Sequence, residues 1–366
     1  MKSIYIYLTV LVLGLISCES IVDVKVNETD PYLVVDAWLT RSPEPQTIRL
    51  TTTQPYYDNE LASGVTGAEV IITDSYGNEF VFESDGSGNY IYTPTDTFGV
   101  VGNSYFLTVT YDGHDYTSST VLPRGTAIDS INFTYEKNVF EGEYFYSQFF
   151  GRDPIGEGDT YWLKTWKNGQ YLNRPSELFY FYDASFSEGN GDGIPFIFPL
   201  RVLANPYEQD INGNAFPYFW PADTFKINPD NNKVTLFDSE GEVKDGKIEF
   251  TLDETRKNPA SGGLSSIPLD GNPYSLVGDT MVVKGMDSLY LELHTVSNDA
   301  WFFLYRLQQE TDRPEGFGAL FATPPANLPT NITCDDPDIP VVGFFDISNV
   351  SSLGQKFTPE VTRYDE

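Results

Sequence analysis

Residues 104–123 read SYFLTVTYDGHDYTSSTVLP, and two strands and a turn are written there. Tyr105, Leu107, Val109 and Tyr111 recur with period two, so a pleated strand places all four on one face. A helix would scatter them around its circumference. Asp112-Gly113 supplies residues that tolerate positive φ, as a tight hairpin requires, and 115–123 then returns as the partner strand.

The flanking sequence repeats this pattern. YLVVDAWLT (32–40), QTIRLTTT (46–53), AEVIITD (68–74), EFVFES (79–84) and NYIYTP (89–94) are short β-rich runs, and Ala68, Val70 and Ile72 share a face. SYGN (75–78) and DGSGN (85–89) carry the Gly and Asn of tight turns. Seven strands in about ninety residues describe an antiparallel β-sandwich, immunoglobulin-like or prealbumin-like in size, over residues 31–124. No cysteine lies within that span, so an antibody-type inter-sheet disulfide is excluded.

From 125 to about 350 the chain continues as a larger β-rich domain. INFTYE, YFYSQFFG, TYWLKTWKNGQYL, ELFYFYDASF, IPFIFPLR, KVTLFD, KIEFTL, TMVVKG and SLYLELHTV are strand-like, with longer loops of Asn, Asp, Gly and Pro between them. One helix interrupts them at 297–311. Ser297 is its N-cap, Asp299 lies in its first turn, and Trp301, Leu304, Tyr305 and Gln308 fall on one side. Residues 351–366 read as a polar, frayed tail. The fold class is therefore mostly β, with one notable helix.

The beginning of the chain has a different grammar. Met1-Lys2 precedes an uncharged apolar run, Ile4 to Ser17, and LVLGLISCES (11–20) ends that run on Cys18. The run is short for a bilayer span and sits where an export signal belongs. Leu15-Ile16-Ser17-Cys18 has the form of a bacterial lipobox, in which the thiol takes a diacylglyceryl group and cleavage leaves Cys18 as the new N-terminus. Residues 1–17 are then a signal peptide and 18–30 a lipidated tether. Acyl chains at about 0.8 kcal/mol per buried methylene hold such a protein to the bilayer essentially permanently. With Cys18 acylated, Cys334 has no partner in the chain. Asp335 and Asp336 follow it and raise its pKa, so it is expected to be an inert thiol.

Charge narrows the partners. Twenty-two basic residues against 53 acidic ones leave a formal charge of -31, which repels nucleic-acid backbones and anionic lipid headgroups. Two histidines, His114 and His294, exclude a His-rich zinc site, and no G-x-S-x-G marks a serine nucleophile. Paired loop carboxylates leave a carbohydrate-active hydrolase as an alternative, and a structural or adhesive surface protein is a third class. DASFSEGNGDG (183–193) gathers Asp183, Ser185, Glu188, Asn190 and Asp192, hard oxygen donors suited to calcium. Its spacing is not that of an EF-hand loop. NAFPYFWPAD carries Phe216, Tyr218, Phe219 and Trp220 without strand alternation. Aromatics in such a loop point to a ligand-binding surface for a small molecule, glycan or peptide.

PYLVVDAWLT (31–40), GVTGAEVIITDSYGNEFVF (64–82), GNYIY (88–92), the 99–123 stretch and PTNITCDDPDIPVVGFFDISNVSSLGQKF (329–357) together resemble an uncharacterised family of Bacteroidota lipoproteins classed as a domain of unknown function. The resemblance covers nearly the whole chain after Cys18 and departs most over 205–262. It implies an outer-membrane lipoprotein that captures a ligand for, or accompanies, a TonB-dependent nutrient transporter. It implies no catalytic residue. Glu19 follows Cys18 without an acidic run, which leaves the cell-surface and periplasmic faces both open.

Overall fold

The computed structural model describes residues 30–55, 58, 60–138, 142–185, 191–196, 199–203, 224–227, 233–237, 250–253, 258–260, 274–277, 280–283, 288–313, 326–356 and 360–363. Cys18, the tether, the aromatic loop with Phe216, Tyr218, Phe219 and Trp220, and the loop donors Glu188 and Asn190 lie outside these residues.

Seven strands open the chain: β1 (Leu33–Thr40), β2 (Gln46–Thr52), β3 (Glu69–Asp74), β4 (Glu79–Ser84), β5 (Asn89–Tyr92), β6 (Ser104–Tyr111) and β7 (His114–Val121). Each falls within two residues of its sequence-based bounds. Tyr105, Leu107 and Val109 are buried, as are Val70 and Ile72, so the period-two faces point inward. Tyr111 pairs with His114 across the β6–β7 hairpin. Asp112 and Gly113 take φ of 52° and 83° there, the doubly positive backbone of a two-residue loop.

The second region contributes β8 (Ile128–Asn138), β9 (Gly142–Gly151), β10 (Thr160–Lys167), β11 (Gln170–Tyr171), β12 (Phe179–Tyr182) and β13 (Pro199–Leu203). Further along lie β14 (Thr224–Ile227), β15 (Lys233–Phe237), β16 (Phe250–Asp253), β17 (Asn258–Ala260), β18 (Tyr274–Val277), β19 (Thr280–Val283) and β20 (Ser288–Val296). Helix α1 (Asn298–Thr311) follows, then β21 (Thr333–Cys334), β22 (Val342–Lys356) and β23 (Glu360–Arg363). The protein is mostly β, with one α-helix among the described residues.

One large sheet runs β11-β10-β20-β22-β1-β2-β5-β4-β3-β6-β7-β21, with β12 also on β10. A three-stranded sheet, β13-β9-β8, and a seven-stranded sheet, β17-β16-β15-β14-β23-β19-β18, complete it. Strand β22 joins the two regions by dividing its hydrogen bonds. Residues 342–348 run parallel to β1, and 349–356 run antiparallel to β20. The end of the chain thus returns to the first sandwich, where Ile332, Phe345 and Ile347 enter the same core as Val35, Ile48, Leu107 and Val109. Residues 31–124 alone do not close that core. The polar stretch after 350 differs from the frayed tail its composition suggests: 351–356 continue β22, and 360–363 form β23 between β14 and β19. Backbone pairing with a waiting strand edge stabilises these residues without any apolar side-chain pattern.

A second core gathers Ile128, Ile131, Phe149, Tyr161, Leu163, Phe181, Phe196, Leu289, Leu291 and Leu293. Helix α1 starts where expected, with Ser297 Oγ accepting from the Ala300 backbone N–H at 3.2 Å. Leu304 and Ala300 are buried. Gln308 accepts from the Tyr180 hydroxyl and donates to the carbonyls of Pro175 and Leu178. The helix covers a small cluster of Val296, Phe344, Trp38 and Trp162. The Trp38 and Trp162 rings lie 5.3 Å apart, although β1 and β10 are three strand steps apart in the hydrogen-bonded order, about 14 Å on a flat sheet. The outer face of β1 thus meets β10 beneath the helix.

Candidate functional site

Two glycine-rich acidic loops meet beside the linker between the two regions. The first, 152–159, follows β9; the second, 183–193, follows β12. Asp153, Asp159 and Asp183 are all buried, and one oxygen from each lies within 4.8 Å of the others. Three buried carboxylates in so small a volume need cations, protons or donors to offset their desolvation and mutual repulsion.

The donors come from the protein itself. Arg124 Nε donates to both Asp159 oxygens at 2.9 and 3.0 Å, and its Nη atoms also reach the carbonyls of Pro154, Ile155 and Gly156. The Asp159 bonds raise the pKa of Arg124 further. Asp183 Oδ1 accepts the Gly158 and Asp159 backbone N–H groups at 2.9 and 3.0 Å. Its own φ of 48° is a left-handed conformation, which Asp tolerates better than most residues. Asp153 accepts the Tyr161 hydroxyl at 2.5 Å and the Gly193 N–H at 2.9 Å. Burial nevertheless pushes the Asp153 carboxyl up, opposed by those two hydrogen bonds and reinforced by Asp159 and Asp183.

Of the calcium donors expected from sequence, Asp183, Ser185 and Asp192 are described, and they have different tasks: Ser185 Oγ donates to the Tyr182 carbonyl at 3.1 Å. Asp183 joins the buried trio, whereas Asp192 Oδ1 accepts the Gly156 N–H at 2.6 Å and ties one loop to the other. The structure adds Asp153, Asp159 and Arg124. The stretch GRDPIGEGD (151–159) has the same Gly-and-acid texture as 183–193, which is the signal that pairs the loops. Arg124 carries no such mark. The arrangement can hold a hard cation only in competition with Arg124 and the backbone donors, and as built it is a charge-compensated knot that fixes both loops to the linker.

His294, Ser348 and Glu292 form a second constellation. His294 Nδ1 lies 2.9 Å from Ser348 Oγ, and Nε2 lies 3.1 Å from Glu292 Oε2. Burial pushes the imidazole down to about 4, against the pull of Glu292, and the His294 hydrogen bond draws Glu292 down. A neutral ring beside an ionised Glu292 places its proton on Nε2 and leaves Nδ1 to accept from Ser348. This is the connectivity of an acid, base and hydroxyl relay. Ser348 is only 4% exposed, and its hydroxyl also lies within hydrogen-bond reach of the Leu39 carbonyl at 3.2 Å. A hydroxyl enclosed between β1 and β20 does not meet a substrate, so the relay ties strands together.

The remaining sequence-based candidate on view, Cys334, is partly buried and free. Burial, with Asp335 beside it, pushes its thiol up, in the direction its acidic neighbours suggest.

No curated protein matches the chain. The family described as a domain of unknown function (DUF4249) matches residues 19–353, most of the chain, and the protein belongs to that family.

Proposed function

We propose that this protein is a non-enzymatic outer-membrane lipoprotein, held to the bilayer through acylated Cys18, that captures a ligand for or accompanies a TonB-dependent nutrient transporter. The observation that carries this reading is the lipobox, Leu15-Ile16-Ser17-Cys18, at the end of an export-type apolar run. The family match begins at residue 19, directly after that cysteine, as it would if the signal lay outside the conserved unit. The commitment of the Ser348 relay and of the 153/159/183 carboxylates to internal partners favours capture over turnover. The aromatic loop with Phe216, Tyr218, Phe219 and Trp220 is the proposed ligand contact.

Metabolic labelling with a fatty acid tests the anchor: wild type should carry label and fractionate with the outer membrane, and Cys18→Ala should lose both. Co-purification from detergent-solubilised outer membrane tests the partner, and recovery always without a transporter removes that half of the reading. Turnover of a glycan that one Asp or Glu substitution abolishes would replace capture by hydrolysis.

A further inference from the structure

The β6–β7 hairpin and the returning strand β21 bring His114 to Cys334 and Asp335, more than two hundred positions further along the chain. His114 follows the Asp112-Gly113 loop, and Cys334 pairs with Tyr116 at the sheet edge. The Asp335 N–H donates to the Asp115 carbonyl at 2.9 Å, which fixes the Asp335 backbone beside the hairpin. His114 Nδ1 lies 3.1 Å from Asp335 Oδ1, and Cys334 Sγ lies 3.4 Å from the same oxygen. The three ligand-type atoms are all within 4.8 Å of one another.

We propose that His114, Cys334 and Asp335 form a zinc site at the edge of the first sandwich, with solvent completing the coordination. The geometry supports it. Zn–S of about 2.3 Å, Zn–N of about 2.0–2.1 Å and Zn–O of about 2.0–2.2 Å at tetrahedral angles put the oxygen about 3.6 Å from sulfur and about 3.4 Å from nitrogen. The observed separations, 3.4 and 3.1 Å, differ from these by two or three tenths of an ångström, which a side-chain rotation supplies. One thiolate, one imidazole and one carboxylate are a borderline-soft set, suited to zinc and unsuited to calcium or magnesium. The His114 and Asp335 side chains are 34% and 51% exposed, so a metal ion reaches them from solvent. Asp112 and Asp115 lie in the hairpin and Asp336 follows β21, and they add a negative field that draws a cation in.

Binding exchanges the Cys334 thiol proton, released to solvent, for a sulfur–zinc bond. Two consequences follow for the molecule. The edge strand β21, held to β7 by only two residue pairs, gains a cross-link, and the one thiol left free after Cys18 acylation is protected from oxidation.

Cobalt(II) is the spectroscopic probe. Titrated into the detergent-solubilised full chain, it should give a thiolate-to-cobalt absorption band at one equivalent. The band should vanish in Cys334→Ser, where Cys18 is still present, and weaken at least about tenfold in apparent affinity in His114→Ala. Zinc should displace cobalt, bleach the band and raise the melting temperature of wild type but not of Cys334→Ser, while calcium should do neither. Both variants alter a sheet surface, and unchanged far-ultraviolet spectra will confirm that they fold. Absence of a thiolate band at millimolar cobalt, or its retention in His114→Ala at wild-type affinity, overturns the proposal.

Discussion

Asp346 and His294 sit on the strands that join the two regions, and both are almost fully buried. Asp346 Oδ1 accepts the Thr120 hydroxyl at 2.8 Å, and Oδ2 faces the Ser297 backbone N–H at 3.4 Å at the start of α1. Burial outweighs those contacts and pushes Asp346 up to about 6. Folding then raises its proton affinity, so its contribution to stability is complete below the unfolded value near 4 and is lost as pH rises through 6. His294 works in the opposite sense. Its folded value near 4 lies below the unfolded 6.5, so its contribution is complete above 6.5 and is lost as pH falls toward 4. Each shift corresponds to on the order of 3 kcal/mol. Between pH 4 and 6 the two slopes oppose each other. Thermal melts should show Asp346→Asn gaining stability relative to wild type as pH rises across that window; parallel profiles for the two proteins would refute the role of Asp346.

Among the elements, β22 depends most on a single residue. Gly343 has φ of 115°, and a Cβ there would lie 1.9 Å from the Val35 carbonyl oxygen on β1. No side chain can be accommodated without parting the parallel pair, and the backbone conformation is itself strained for an L-residue. Gly343→Ala should therefore cost about 3 kcal/mol or more in urea denaturation, well beyond an exposed-strand substitution. A loss below about 1 kcal/mol would mean that β22 is not locked to β1 at this point. By contrast, α1 announces itself: the Ser297 cap, Asp299 and the Trp301, Leu304, Tyr305, Gln308 side all take the places their spacing dictates. Local hydrogen bonding and period 3.6 suffice for that, whereas a Gly in a strand says only that something approaches closely.

At the scale of the whole molecule, the first sandwich is built from both ends of the chain. β1 has β2 on one edge and β22 on the other, and Ile332, Phe345 and Ile347 fill the core from the C-terminal side. Burying three such side chains contributes roughly 5–9 kcal/mol, comparable with the entire stability of a small domain. A fragment of residues 30–124 should thus lack a cooperative urea transition, and a peptide spanning 329–348 should restore one in trans. A cooperative transition in the fragment alone would show that the returning strands are dispensable.

The strands of the first sandwich, its Asp112-Gly113 hairpin, the capped helix and the mostly β class are determined by the sequence itself, because alternation, turn chemistry and capping act over a few neighbouring residues. The acidic loop 183–193 was visible as a cluster of oxygen donors, but its partners were not. Asp153 and Asp159 join it, and Arg124 joins Asp159, through contacts spanning 24 to 40 positions, and no local pattern encodes such a meeting. The division of β22 between two regions, the enclosure of His294 with Ser348, and the approach of His114 to Cys334 and Asp335 were likewise decided only by tertiary structure. Which edge a strand pairs with depends on the edges left free by the rest of the chain, and burial of a polar side chain depends on what is packed over it. Both are properties of the assembled molecule.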